Sequence, residues 1–147
     1  MHDAAPRPDE LRAFYELYIE AFNARDEAAF TACFHPPVSV LRLPGPDGDP
    51  VGAATVTITD PHALWPVLPP TWTRSTIDAV HVLDEAFVPR AGFDDGAPRR
   101  AVLQVSVTRW AGDIPYEQVH VLYVLSTEDG RVGIKAMVPV AVVRPTR

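Results

Sequence analysis

The hydrophobic period changes once along this chain, and that change limits the fold more than any other feature. From Leu11 the apolar positions run Leu11, Phe14, Tyr15, Tyr18, Ile19 and Phe22, the spacing of one α-helical stripe. From Thr73 onward the period is two, over Thr73 to Phe87, Arg100 to Trp110, Tyr116 to Ser126 and Val132 to Val143. Turn sequences separate these runs, among them Ala111-Gly112-Asp113 and Glu128-Asp129-Gly130. Helices followed by long alternating strands predict an α+β chain: an antiparallel meander with the helices on one sheet face.

Finer signals fill in the first half. Asp9 is positioned to cap the helix, and Asn23-Ala24-Arg25 forms its corner. Asp26 caps a second, shorter helix that buries Ala29, Phe30, Cys33 and Phe34 and stops at Pro36-Pro37. Val38 to Leu43 reads as a short strand, residues 44–50 as a loop, and Val51 to Thr59 as a strand or extended arm. Asp60 followed by Pro61 opens one more short helix. The chain reads as one domain over residues 9–143 behind a loose segment, 1–8, that carries two prolines.

Bulk properties then exclude whole classes of function. With 147 residues and 47% hydrophobic content, one core suffices. A net charge of −6, with Arg99-Arg100 the one adjacent basic pair, argues against nucleic acid as a partner. No stretch reaches the roughly 20 apolar residues of a membrane span, and the first residues lack a signal-peptide pattern, so the expected location is cytoplasmic. Cys33 stands alone, which rules out an internal disulfide and suits a small buried hydrophobe. The five histidines lack metal-ligand spacing, and neither a glycine-rich phosphate loop nor Gly-x-Ser-x-Gly occurs. No metal and no cofactor is expected.

Two stretches carry a resemblance. Tyr18-Ile-Glu-Ala-Phe-Asn-Ala-Arg-Asp26, followed by Phe34, resembles the first helix pair of the nuclear transport factor 2-like superfamily. Tyr123-Val-Leu-Ser-Thr-Glu-Asp-Gly-Arg-Val-Gly-Ile134 is similar to its last hairpin. That superfamily includes ketosteroid isomerases, scytalone dehydratase and SnoaL-like polyketide cyclases. The resemblance implies a cone: a strongly bent sheet wrapped around the long N-terminal helix, with a pocket at the open end. It also implies a homodimer formed through the sheet.

Several residues are candidates for that pocket. Tyr18 falls where the isomerases carry the tyrosine that donates to the substrate oxygen. Their catalytic base would fall near Arg42 and their second oxyanion donor near Leu122, so those two roles are missing here. His120 and His81 are candidate general bases, since histidine titrates near neutral pH, with Asp78 or Asp84 to orient one of them. The resemblance points His120, Leu122 and Val124 inward, with Gln104, Ser106 and Thr108 as a polar wall opposite Tyr18. Hydrophobic alternation instead buries Ala101, Leu103, Val105 and Val107 and leaves the Gln104 face to solvent or a dimer contact. Phe14, Tyr15, Phe22, Trp65 and Trp72 are candidate aromatics at the pocket, with Met137 as a flexible filler. His35 and His62, beside prolines, are expected to be exposed. The leading expectation is a protein that binds a small, largely apolar molecule. Two alternatives stand beside it: proton transfer on a hydrophobic ring substrate, as an isomerase, dehydratase or cyclase, and a non-catalytic dimer module.

Overall fold

The computed structural model describes residues 7–42, 54–65, 70–83, 91–92 and 100–146. Residues 1–6 of the N-terminal segment, the 44–50 loop, Asp84 and the turn at 94–96 lie outside them.

Helix α1 (Pro8–Asn23) buries Leu11, Tyr15, Tyr18, Ile19, Ala21 and Phe22, which is the expected stripe with Ala21 added and Phe14 only half-buried. Its start lies earlier than Asp9 suggested. Pro8 occupies the first turn, and the Glu10 carboxylate reaches back to accept from Arg7 N at 3.4 Å and Arg7 Nε at 3.1 Å. Helix α2 (Glu27–Thr31) is capped by Asp26, which accepts from Ala29 N at 3.1 Å. It is one turn long, because Phe34 already begins strand β1 (Phe34–Arg42) and runs through the two prolines. Strands β2 (Ala54–Ile58), β3 (Arg74–Val82), β4 (Arg100–Ala111), β5 (Ile114–Glu128) and β6 (Arg131–Val143) follow. A single 3₁₀ turn, Pro61–Leu64, opens on Asp60, whose carboxylate accepts from His62 N at 3.0 Å.

The six strands form one sheet in the order β2-β1-β6-β5-β4-β3. The expected meander holds from β3 to β6, where every neighbouring pair is antiparallel. Outside that meander, β1 pairs with β6 in parallel. No hairpin signal announces that contact, because its partners are separated by most of the chain. Register shifts at Ile77/Ala79, Arg109/Trp110, His120/Val121 and Val124/Leu125 interrupt the ladders. Each is the kind of irregularity that bends a sheet, and the bent sheet closes over α1.

Two contacts fix the helix and hairpin in place. The Asn23 side chain clamps the backbone of Ser75: its Nδ2 donates to Ser75 O at 2.8 Å and its Oδ1 accepts from Ser75 N at 2.7 Å. The corner residue therefore completes the outer edge of β3. At the other end His35 is buried, against expectation, because its imidazole lies flat on Gly133. His35 Nε2 donates to Arg131 O at 2.8 Å, and its Nδ1 accepts from Arg131 Nη2 at 3.2 Å. A Cβ on residue 133 would meet the ring carbon Cδ2 at 2.5 Å. The pinned ring cannot swing aside, so Gly133→Ala should cost about 1–3 kcal/mol, the range for overpacking a buried site. Urea unfolding of the variant reads it; an unchanged midpoint would show that the ring is free to move.

Candidate functional site

The residues of α1 and the sheet that face each other do not fill the space between them. A cavity of about 70 Å³ remains, open to solvent on one side, and Tyr15, Tyr18, Ile19 and Phe22 line it from the helix. Val107 and Arg109 of β4, Val119, Val121 and Tyr123 of β5, and Ser75 of β3 supply the sheet wall. A cavity of about 150 Å³ takes benzene. This one is smaller but open on one side, with room inside for a functional group or the end of a longer molecule.

The alternation of β4 and β5 decides what faces inward. Ala101, Leu103, Val105 and Val107 are buried, as are Val119, Val121, Tyr123 and Leu125. Hydrophobicity therefore predicts strand parity correctly, and the inward orientation implied by the resemblance is corrected. Gln104 and His81 are exposed, and His120 and Leu122 are half-buried, all on the outer face. There His120 Nδ1 lies 2.7 Å from Ser106 Oγ. Asp78 orients no histidine: its Oδ2 accepts from Thr108 Oγ1 at 2.6 Å and from Gln118 Nε2 at 2.9 Å.

Of the other candidates, Tyr15, Tyr18 and Phe22 line the cavity, and the rest stand behind it. Trp72 is buried against Phe22, edge to face at 5.3 Å, and its Nε1 donates to Ser75 Oγ at 3.1 Å. Trp65 packs on Phe30 at 4.9 Å and on Phe22 at 6.0 Å. Phe14 and Met137 are half-buried against the core. His62 is exposed as expected and pairs with Glu27 at 3.1 Å.

Tyr123 and Arg109 are the polar residues that sequence reasoning missed. Tyr123 sits at the centre of an aromatic cluster, with its ring 5.3 Å from Tyr15 and 5.8 Å from Tyr18, which are themselves stacked at 5.5 Å. Burial pushes the phenols of Tyr15 and Tyr18 far above their ordinary range, and the adjacent Tyr123 raises both further. Burial also raises Tyr123, while hydrogen bonding from Tyr15 and Tyr18 and the Arg109 charge oppose the rise. Three phenols thus converge at the cavity wall, and each hydroxyl can donate one proton as well as accept. Arg109 stands at the end of the buried β4 row, its Nη1 2.7 Å from Glu117 Oε1. The lining holds no carboxylate and no imidazole among the described residues. Among the described residues no group of three or more His, Cys, Asp or Glu could hold a metal ion. No helix there is long and apolar enough to cross a membrane.

No protein-family model matches the chain, and no curated protein matches it in sequence. Solved structures do match it in shape. One is a protein of unknown function with a cystatin-like fold from Nostoc punctiforme, at TM-score 0.59 and 10% identity over 95% of this chain and 93% of that one. Another is ActVI-ORFA from Streptomyces coelicolor, at TM-score 0.56 and 17% identity over 90% and 94%. A third is an NTF2-like protein of unknown function from Shewanella baltica, at TM-score 0.55 and 12% identity over 97% and 100%. At these identities the likeness speaks for architecture, and it agrees with the helix-in-sheet arrangement described above: the chain has the cystatin-like α+β fold of the nuclear transport factor 2-like proteins.

Proposed function

We propose that this protein binds a small, largely apolar molecule in the cavity between α1 and the sheet, with the Tyr123 hydroxyl donating to an oxygen of the ligand. The observation that carries this reading is the convergence of three tyrosines on a cavity whose remaining wall is mostly aliphatic and aromatic. Buried hydroxyls are costly unless bonded, so a site of this kind favours a ligand with an acceptor at one end and hydrocarbon at the other.

The reading excludes His120 and His81 from the chemistry, since both lie on the far face of the sheet from the cavity. Thermal unfolding across short ketones, alcohols, amides, acids and larger ring compounds tests it. A short-chain member at 100 times its Kd should add about 2.7 kcal/mol. Tyr123→Phe should weaken that member about tenfold, the worth of one buried hydrogen bond, while His120→Ala leaves it unchanged. No shift from any compound would sink the proposal, and so would equal binding by Tyr123→Phe.

A further inference from the structure

We infer that the cavity selects a small carboxylate over its neutral counterparts, with Arg109 holding the acid group; this deepens the pocket reading above and rests on it. Among the described residues Arg109 is the only cation in the lining. Its row on β4 is Ala101, Leu103, Val105 and Val107, all buried. The Arg109 side chain that ends this row is half-buried and reaches the cavity. The ion pair with Glu117 does not cancel its charge, for two geometric reasons. The contact is single, from Nη1 to one carboxylate oxygen, and a guanidinium carries five N–H donors. Glu117 is absent from the lining, so Arg109 is the member of the pair that reaches the cavity.

The tyrosines register the same asymmetry. The Arg109 charge lowers the pKa of Tyr15, Tyr18 and Tyr123, against the stronger effect of burial. The Glu117 charge acts on Tyr116, which does not line the cavity. The cavity wall therefore brings together the guanidinium of Arg109 and a phenolic hydroxyl, that of Tyr123. A carboxylate offers two oxygens, one for the remaining guanidinium protons and one for the hydroxyl, and charge-assisted bonds of this type are the strong ones. An amide or ketone of equal size offers one acceptor and no charge. The enclosed volume limits the acid to a short chain or to the tip of a longer one.

The experiment titrates the full chain with propionate, propionamide and butanone at constant ionic strength and neutral pH, followed by protein NMR shifts. Propionate should bind about tenfold more tightly than either neutral compound, the worth of one charged hydrogen bond. Glu117→Gln, which removes the competing carboxylate, should tighten propionate further. Arg109→Gln alone strands Glu117, so the paired variant Arg109→Gln/Glu117→Gln is the decisive one: it should abolish the preference and keep the neutral ligands. Neutral ligands that bind as well as propionate overturn the acid selectivity and leave the pocket standing. A preference that survives in the paired variant overturns the role of Arg109. Failure of all three compounds overturns the pocket reading together with this inference.

Discussion

Well above pH 10 the protein should lose about 3 kcal/mol of stability for each further pH unit. The cause is the pair of buried phenols on α1. In the unfolded chain Tyr15 and Tyr18 ionise near pH 10. In the fold burial holds both far above that value, so they stay protonated. A raised folded-state pKa contributes fully below the unfolded value and is lost as pH climbs past it. Each such group costs about 1.4 kcal/mol per pH unit, and two cost about 3. Tyr123 is raised as well and steepens the loss. The sequence has four tyrosines and three belong to this cluster, so tyrosinate absorbance should rise in step with unfolding rather than before it. Urea midpoints at rising pH measure the slope, and Tyr15→Phe/Tyr18→Phe should flatten it. A chain as stable at pH 11 as at pH 9, or a cluster that ionises while folded, would contradict the burial described here.

Phe30→Ala should be the most damaging single substitution in the core, at about 3–5 kcal/mol, the range for truncating a buried phenylalanine. Phe30 is 1% exposed. Its ring meets Tyr18 at 5.4 Å, Phe22 at 6.0 Å, Phe34 at 5.1 Å and Trp65 at 4.9 Å. It joins α1, α2, the start of β1 and the 3₁₀ turn at one point. For a chain of this size the loss lowers Tm by about 10–15 °C. Tyr18 also loses the ring behind it, so ligand affinity should fall along with stability. Phe30→Leu refills most of the volume and should cost about 1–1.5 kcal/mol. A small effect of the alanine variant would mean that the aromatic cluster can collapse into the gap.

Much of this architecture is legible in the residues. The α1 stripe and the face of β4 that packs inward follow from periodicity, because a chain with one core has only one place to put Tyr15 or Leu103. The inward turn of His120, Leu122 and Gln104 came from the resemblance, and a shift of one residue exchanges the two faces of a strand. Tyr123 and Arg109 were findable. Tyr123 is in phase with Val119, Val121 and Leu125, and Arg109 is the next member of the row Leu103, Val105, Val107. A polar side chain in phase with an aliphatic row is the signal both share. The cavity is different in kind. Its volume depends on how closely α1 approaches a bent sheet, and no local pattern encodes that distance. The parallel pairing of β1 with β6 was hidden for a related reason: alternation shows that a strand exists, and adjacency in sequence predicts its neighbour only across a hairpin.

That parallel pairing has a consequence for biosynthesis. Phe34 is opposite Ile134, and Ile134 N donates to Cys33 O at 2.7 Å. The ribosome releases α1 and β1 early, but the strand that seats β1 is the last to appear. Until then β1 has only β2 beside it, and its other edge lies open to chaperones and to neighbouring nascent chains. Contacts that close so large a loop also make folding slow relative to a helical bundle of equal length. The cavity itself needs α1, β3, β4 and β5, so it can form only once the chain has been made through Tyr123.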